Sequence, residues 1–175
     1  MAKRDIRLTP TSYIVLGLIN AAGRATPYDL KRMHATGIGG FWSLNHAQLY
    51  AEPDRLVEGG YLSVEREEGG RRRKQYEVTG SGREALDTWL ANPSDEFTEL
   101  RDLGLLQLFF GADPKKVAEV QLRIHGEALA QYEALRAGAD GWLEGPRLVL
   151  ESGIGHEREW LRFWEGVIDE RKQRQ

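Results

Sequence analysis

The sequence has 175 residues, of which 41% are hydrophobic and 29% charged, a composition typical of folded proteins rather than disordered ones. It contains no cysteine, which excludes disulfides and thiolate metal sites, and no run of about 18 apolar residues that would predict a membrane span. The net charge is -3, yet residues 1–80 carry 12 Lys and Arg against 9 Asp and Glu, whereas residues 81–175 carry 12 against 18. These balances of +3 and -6 indicate either different partners for the two halves or ordinary solvated surface.

The sequence offers no sign of catalytic or metal chemistry. Its four histidines are too scattered for a metal site, since they lie at positions 34, 46, 125 and 156. The segment HEREW at 156–160 begins like a zinc-protease helix, but Trp160 stands where the second histidine is needed. The opening residues MAKRDIRLTP reach Arg7 before an apolar segment can form, so we expect no signal peptide. We therefore expect a cytoplasmic protein that is not an enzyme and carries no cofactor and no metal.

Three short helices are predicted in chain order. The first begins after Thr9 with Pro10 at its first position, is apolar on most sides, and ends at Gly23. Thr26 and Pro27 repeat the start signal for a second helix that extends to about Met33. The segment GIGG at 37–40 interrupts the chain. A third helix is expected to start near Ser43 or Asn45, with Leu49, Leu56 and Val57 facing the core.

A β-hairpin and a fourth helix follow. Leu62 and Val64 alternate with polar residues, Gly69-Gly70 predicts a turn, and Tyr76 and Val78 alternate on the way back. Next to this turn lie four consecutive basic residues, Arg71, Arg72, Arg73 and Lys74. The fourth helix, in SGREALDTWLANP, is expected to close the unit with Leu86, Trp89 and Leu90.

Three short helices followed by a basic hairpin predict a winged helix-turn-helix, a fold that binds DNA. The third helix of this motif lies in the major groove, and the hairpin, or wing, contacts phosphates. Gln48 suits adenine, and His46 and Tyr50 could reach bases or phosphates; alternatively, Tyr50 packs against the wing and His46 is merely solvated. The predicted DNA-binding residues are Tyr28, Lys31, Arg32, Ser43, Asn45, His46, Gln48, Tyr50, Arg71, Arg72, Arg73 and Lys74.

Several of these segments together carry a family resemblance. LTPTSYIVLGLI, TPYDLKR, FWSLNHAQLYAEPDRLVEGGYL and RRRKQYEVTGSGREAL resemble the PadR family of bacterial transcriptional regulators. ELRDLGLLQLFF and the two long helices after it are similar to the dimerisation region of that family. The resemblance implies a homodimer that binds operator DNA, usually as a repressor, and that is often released by an effector.

Pro53 departs from the pattern of that family, which has an apolar residue, commonly leucine, at this place. A proline inside a helix removes one backbone hydrogen bond and crowds the carbonyl of Leu49, at a cost of roughly 3 kcal/mol. We therefore expect a kinked recognition helix, in which residues 45–51 tilt away while residues 54–58 stay packed on the core.

The second half is predicted to be almost wholly helical. Leu103 to Phe110 is apolar on nearly every side, and two long amphipathic helices follow, separated by a turn at Gly145-Pro146. Because such helices cannot cover both apolar faces alone, we expect a two-fold homodimer that addresses a palindromic operator. Gly153 and Gly155 predict either a hinge or a close crossing with the partner.

Four tryptophans raise the question of an effector. Trp89, Trp142, Trp160 and Trp164 could stack a flat hydrophobic ligand, although helically spaced tryptophans also suit an ordinary core. The PadR resemblance implies that such an effector could be a phenolic acid or a drug.

The sequence thus predicts a mainly α fold with a small β-hairpin wing. Residues 1–92 form a winged helix-turn-helix DNA-binding domain, and residues 93–175 form a dimerisation domain of long antiparallel helices. The expected function is sequence-specific transcriptional regulation, with a winged-helix protein-interaction adaptor as the alternative. Steep salt dependence of duplex binding would favour the regulator, whereas indifference of function to charge reversal at RRRK would favour the adaptor.

Overall fold

The computed structural model describes residues 5–66 and 73–173, and residues 170–173 in their backbone only. The chain divides into two compact units, Met1–Glu96 and Phe97–Gln175. The mainly helical fold with a small antiparallel sheet that the sequence predicts is confirmed.

The first unit contains four α-helices, each begun by a polar residue that caps it. They are α1 (Pro10–Ala22), α2 (Pro27–Thr36), α3 (His46–Glu58) and α4 (Gly80–Leu90), with a 3-10 turn at Ile38–Gly40 between α2 and α3. Thr9 and Thr26 precede prolines at the first helical position, as predicted, and Gly23 follows α1 with φ of 75°. The second helix is longer than predicted, because it continues past Met33 to Thr36.

Three strands form the sheet, one more than predicted. β1 (Arg24–Ala25), β2 (Leu62–Arg66) and β3 (Lys74–Val78) pair antiparallel in the order β1-β3-β2. The hairpin register pairs Leu62 with Val78 and Val64 with Tyr76, so the alternating residues share one face, as expected. β1 has only two residues, too few for the alternation of apolar and polar residues that predicts a strand. The predicted turn at Gly69-Gly70 lies outside the described residues.

One hydrophobic core holds the first unit together. Most residues that the sequence placed inside are buried in it, whereas Val57 and Val64 are partly buried and pack against it. Leu86 is 5% exposed, and Trp89, although 45% exposed, stacks on Tyr13 beside the core, whereas Leu90 is 64% exposed, so the prediction that Leu90 helps to close the unit is wrong. The buried core comprises Val15, Leu16, Ile19, Ala25, Leu30, Leu49, Leu56, Leu62, Tyr76, Val78 and Leu86.

The second unit is built from three helices, α5 (Leu103–Phe109), α6 (Pro114–Ala137) and α7 (Glu144–Gln173). Cross-helix contacts pair increasing positions of α6 with decreasing positions of α7, so these two helices are antiparallel. The predicted turn at Gly145-Pro146 is wrong, because both residues lie in the first turn of α7, where an N-terminal proline is tolerated. Within the described part of the chain, no helix is long and apolar enough to cross a membrane.

Glycine allows α6 and α7 to approach each other closely. A Cβ on Gly153 would lie 3.2 Å from Cε2 of Tyr132, and α7 continues through both Gly153 and Gly155. The close crossing that Gly153 permits is therefore with α6 of the same chain, and no break marks a hinge there.

The apolar segment around α5 is less covered than its sequence predicts. Gly104 is buried, and Leu105 and Leu108 pack against the core of the second unit, but four large side chains of this segment remain open to solvent in the single chain. The exposed fractions are 76% for Leu103, 51% for Leu106, 83% for Phe109 and 78% for Phe110. A segment that is apolar on nearly every side is expected to be covered all round, and within one chain this segment is not.

Candidate nucleic-acid interface

The predicted recognition helix, α3, begins with a capping box that involves two of the predicted DNA-binding residues. The Asn45 side chain accepts a hydrogen bond from the Gln48 N–H at 2.9 Å, and Gln48 Oε1 accepts one from the Asn45 N–H at 3.2 Å. His46, Gln48 and Tyr50 all lie exposed on this part of the helix, and Tyr50 is 47% exposed. The N-terminal half of α3 therefore presents polar and aromatic side chains to solvent.

The capping box limits what Gln48 can do in its present rotamer. Bidentate recognition of adenine needs both the amide oxygen and the amide nitrogen of a glutamine. Because Gln48 Oε1 already accepts from Asn45, adenine recognition in that form requires Gln48 to leave the capping box. The sequence pattern N-x-x-Q contains this signal, since a capping box joins a cap residue to a glutamine three positions later.

Pro53 occupies the core-facing position that the periodicity predicted. Its side chain is fully buried, and α3 extends without interruption from His46 to Glu58 across it. The carbonyl of Leu49 lacks the helical N–H that any other residue at position 53 would donate. The predicted tilt of residues 45–51 stays a prediction.

A buried charged network lies beside Pro53, and the sequence reading missed it. Glu52, whose side chain is 11% exposed, accepts hydrogen bonds from Ser12 Oγ at 2.7 Å and from Arg55 Nη2 at 2.6 Å. Arg55 also donates to Ser12 Oγ at 2.9 Å and to the Arg7 carbonyl at 3.0 Å. This network joins α3 to α1 and to the N-terminal segment. The spacing Glu52-x-x-Arg55 was its only sequence signal.

A second polar cluster joins α3 to the wing. Asp54 accepts hydrogen bonds from Lys74 Nζ at 2.6 Å and from Tyr76 OH at 2.8 Å. Burial raises the pKa of Asp54, but the hydrogen bonds from Lys74 and Tyr76 and the charge of Lys74 lower it more, so the net pKa lies below its ordinary value. Burial and the neighbouring carboxylate raise the pKa of the Tyr76 hydroxyl well above its usual range. The cluster holds Lys74 and Tyr76 of β3 against the recognition helix α3.

The basic cluster of the wing is divided by the structure. Arg73 is exposed, whereas Lys74 is half-buried and paired with Asp54. Arg71 and Arg72 lie outside the described residues. Of the described pair, Arg73 is thus the side chain available to a phosphate, and Lys74 already has a partner.

The outer face of α2 carries the remaining predicted contacts. Tyr28 is 67% exposed, Lys31 is half-buried, and Arg32 lies 3.6 Å from the Asp29 carboxylate. Hydrogen bonds from the side chain and backbone of Thr26 lower the pKa of Asp29, which caps the helix start. Tyr28 and Arg32 are therefore presented to solvent by a helix whose first turn is well fixed.

Two aromatic residues between α2 and α3 were not among the predicted contacts. Phe41 is 59% exposed and Trp42 is 43% exposed, and both lie just before the exposed Ser43. Their backbone is held by His34, whose Nε2 lies 2.9 Å from the Trp42 carbonyl, and by N–H bonds to the Ile38 carbonyl. The sequence analysis assigned no DNA contact to Phe41 or Trp42 and took GIGG before them only as an interruption of the chain.

The four tryptophans do not form one group within a unit. Trp89 belongs to the first unit, where its ring stacks on Tyr13 at a centroid distance of 4.7 Å. In the second unit, Trp160 lies 6.3 Å from the fully buried Trp164, and Trp142 is 40% exposed beyond the end of α6. Trp160 and Trp164 are the pair that the structure brings together.

Unpaired polar atoms lie close to this tryptophan pair. His125 Nδ1 lies 2.6 Å from Glu157 Oε2, and the His125 ring stacks on Trp160 at 5.5 Å. Among the described residues, His125 Nε2 and Trp164 Nε1 are buried without a hydrogen-bond partner. A buried polar atom without a partner costs about 1–3 kcal/mol, so these atoms mark a place where a ligand could contribute the missing bonds.

Comparison with known sequences identifies the family of the first unit. The sequence model of the transcriptional regulator PadR-like family matches residues 15–88, a range that includes α2, α3 and the wing. The chain is 25% identical to the negative transcriptional regulator PadR of Bacillus subtilis, over 89% of this chain and 94% of that protein. Both units are therefore covered by the similarity.

Solved structures of related proteins have the same fold. Bacillus subtilis PadR in complex with operator DNA matches with a TM-score of 0.79 at 22% identity, over 90% of this chain and 97% of that one. The same protein in complex with p-coumaric acid matches with a TM-score of 0.72 at 22% identity, over 92% and 96%. A PadR-like transcriptional regulator of Bacillus cereus matches with a TM-score of 0.80 at 20% identity, over 94% and 99%. Residues 15–88, which include the recognition helix and the described part of the wing, thus match the PadR-like family of transcriptional regulators, and the chain has the fold of solved PadR structures.

Proposed function

We propose that this protein represses transcription by binding operator DNA through the N-terminal half of α3. The observation that carries the proposal is the exposure of His46, Gln48 and Tyr50 on one helix, inside the segment that the family model matches. Support also comes from the fold, which is shared with a PadR that has been solved on its operator, and from the name of the curated relative, a negative regulator. On binding DNA, the Gln48 side chain gives up its hydrogen bond from the Asn45 N–H and forms hydrogen bonds to the edge of a base instead.

Phosphate contacts are proposed for the residues that surround the recognition helix. Arg73 on the wing and Arg32 on α2 are exposed cations, and Tyr28 and Ser43 are exposed hydroxyls that can donate to phosphate oxygens. The same role is proposed for Lys31, Arg71 and Arg72. Asn45 acts mainly by capping α3, and Lys74 acts mainly by holding β3 against Asp54.

The proposed working form is a homodimer formed through the second unit. Leu103, Leu106, Phe109 and Phe110 are more than half exposed in the single chain, an arrangement that is unfavourable in water. A second copy of the chain would cover such surface and would place two recognition helices on two half-sites of a palindrome. We place this dimer in the cytoplasm. Because the matching family consists of regulators, we propose no catalytic activity.

An aromatic effector is proposed for the second unit, at Trp160 and Trp164. The support is the stacked pair together with the unpartnered Nε1 of Trp164 and Nε2 of His125, which could bind a polar group of the effector. A PadR solved with p-coumaric acid is related to this chain, and a phenolic acid has both a ring and polar groups. The predicted contributions of Trp142 and of Trp89, which lies in the first unit, stay predictions.

The proposal is tested by selection from a pool of random duplex DNA at near-physiological salt, followed by affinity measurements on the recovered sequence. We expect an inverted repeat, an affinity that falls steeply with salt, and a loss of roughly 1–3 kcal/mol of discrimination at one base pair for Gln48→Ala. Arg73→Ala should weaken binding to all sequences and reduce the salt slope.

Arg123→Ala is the matched control, because Arg123 is an exposed arginine on α6 that pairs only with Glu127 in the described structure. It should leave both the affinity and the salt slope unchanged. Recovery of no common sequence, together with weak binding that Gln48→Ala does not alter, would contradict operator recognition and favour a protein-interaction adaptor.

A further inference from the structure

A cavity of about 640 Å³ opens on the first unit, between α1, the turn after α3, and α4. Its walls include Asp5, Tyr13, Tyr61, Glu84 and Thr88. None of the side chains proposed above to contact DNA or an aromatic effector is among its lining residues. The volume lies within the range of about 300–1,000 Å³ that is common for small-molecule sites. The proposed function therefore assigns no role to this cavity.

The walls of this cavity are fixed by close backbone contacts. A Cβ on Gly82 would lie 2.1 Å from the Tyr61 carbonyl oxygen, so only glycine allows α4 to approach that backbone. The Tyr61 N–H donates to the Leu56 carbonyl at 2.9 Å, and its carbonyl accepts from the Thr79 N–H at 3.1 Å. Tyr61 is thus held from both sides.

The N-terminal segment is fixed at the rim in a similar way. A Cβ on Gly59 would lie 2.5 Å from Cδ1 of Ile6, so the Ile6 side chain packs directly on the glycine. Asp5 adjoins Ile6 and lines the cavity. Its carboxylate is therefore brought to the rim by packing of the neighbouring residue.

The charges of the walls favour a cation. Two carboxylates, Asp5 and Glu84, line the cavity, and no Lys, Arg or His of the described ranges 5–66 and 73–173 is among its lining residues. Among the described residues, neither carboxylate forms an ion pair within 4.0 Å. Two tyrosine rings, Tyr13 and Tyr61, complete the wall, and aromatic faces also attract cations.

We propose that this cavity binds a protonated aromatic amine. Its ring packs against Tyr13 and Tyr61, and its ammonium group lies between Asp5 and Glu84. A carboxylic acid of similar size is repelled by the same two carboxylates. The site thus differs from the tryptophan pair of the second unit both in its location and in the charge of its ligand.

The test uses the full chain without DNA and three probes of similar size: phenethylamine, 2-phenylethanol and 3-phenylpropionate. Each probe is titrated at neutral pH and low salt, and binding is followed by backbone amide NMR shifts. We expect the amine to bind about tenfold or more tightly than the alcohol, with shifts at Tyr61 and Gly82, and we expect no saturable binding of the acid. Added salt should weaken binding of the amine.

Glu84→Gln and Asp5→Asn should each weaken phenethylamine binding by about two- to fivefold, the scale of one exposed ion pair. Asp87→Asn is the control, because Asp87 lies on the same helix but does not line the cavity, and it should have no effect. Both carboxylates are exposed, so the variants should fold, which circular dichroism checks. Equal binding of all three probes, shifts confined to the second unit, or unchanged affinity in Glu84→Gln would overturn the proposal.

Discussion

The buried network of Ser12, Glu52 and Arg55 supplies a sharp test of what holds α3 in place. Arg55→Leu removes the cation and leaves the Glu52 carboxylate, 11% exposed, with Ser12 as its remaining hydrogen-bond donor. Breaking a fully buried pair in this way costs about 3–5 kcal/mol. Because the Arg55 side chain is 34% exposed, solvent screens part of that cost, and we expect a loss of about 2–3 kcal/mol.

This loss corresponds to a fall of roughly 10 °C or more in the melting temperature of a unit of about 100 residues. The assay is differential scanning calorimetry, which can separate the transitions of the two units. Arg and Leu have similar helix propensities, so the change in propensity contributes little. Arg24→Leu is the control, because Arg24 forms only exposed ion pairs in the described structure, with Glu65 and Glu77, and it should leave the transition nearly unchanged.

The double variant Glu52→Leu with Arg55→Leu tests the physical reason. It removes the buried carboxylate as well as its partner, so no charge is left to be desolvated. Ser12 Oγ still accepts a hydrogen bond from the Thr9 N–H at 2.8 Å. We expect the double variant to be more stable than Arg55→Leu by about 1 kcal/mol or more. A double variant that is less stable than the single one would refute the reasoning.

Three further predictions concern the first unit. Pro53→Leu restores the backbone N–H missing from α3 and should melt several degrees higher, so a melting temperature that is unchanged or lower would count against the cost assigned to the proline. The lowered pKa of Asp54 stabilises the fold at pH values above the unfolded-state pKa of about 4, and this stabilisation is lost as the pH falls through the folded-state pKa. Asp54→Asn should therefore lose less stability on acid titration than the unchanged protein, and identical acid profiles would argue against this contribution. Gly82→Ala should destabilise the first unit by about 1–3 kcal/mol or more, because the new Cβ clashes with the Tyr61 carbonyl. Gly80→Ala is the control: its Cβ meets nothing within 4 Å, so it should be neutral or stabilising by up to about 1 kcal/mol. Denaturant titration compares the two variants, and equal effects would contradict the contact.

Local patterns in the sequence determined most of the helices and the hairpin. Thr9, Thr26 and Asn45 are caps whose hydrogen bonds involve residues only three positions away, so their effect is encoded within one helical turn. The alternation around Leu62 and Tyr76 likewise needs no distant information. The same local reading placed Pro53 on the core face, where it is fully buried.

Tertiary structure decided which polar side chains are available to a ligand. Lys74 looked like one of four equivalent basic residues, but its contact with Asp54, 20 positions away in the sequence, gives it a structural role. Likewise, Glu52 and Arg55 of α3 contact Ser12 of α1, which lies 40 positions before Glu52 and 43 positions before Arg55 in the sequence. Contacts over such separations leave no periodic trace, because each depends on how whole helices pack.

The sequence by itself therefore determined most of the elements, but not β1 or the start of α7, together with the family resemblance and the apolar faces of this protein. Only the tertiary structure decided that Lys74 pairs with Asp54, that Glu52 meets Ser12, and that Asp5 and Glu84 share a cavity. The physical reason is that helix and strand formation follows from neighbours within a few positions. The environment of a functional side chain depends instead on residues that only folding brings near it.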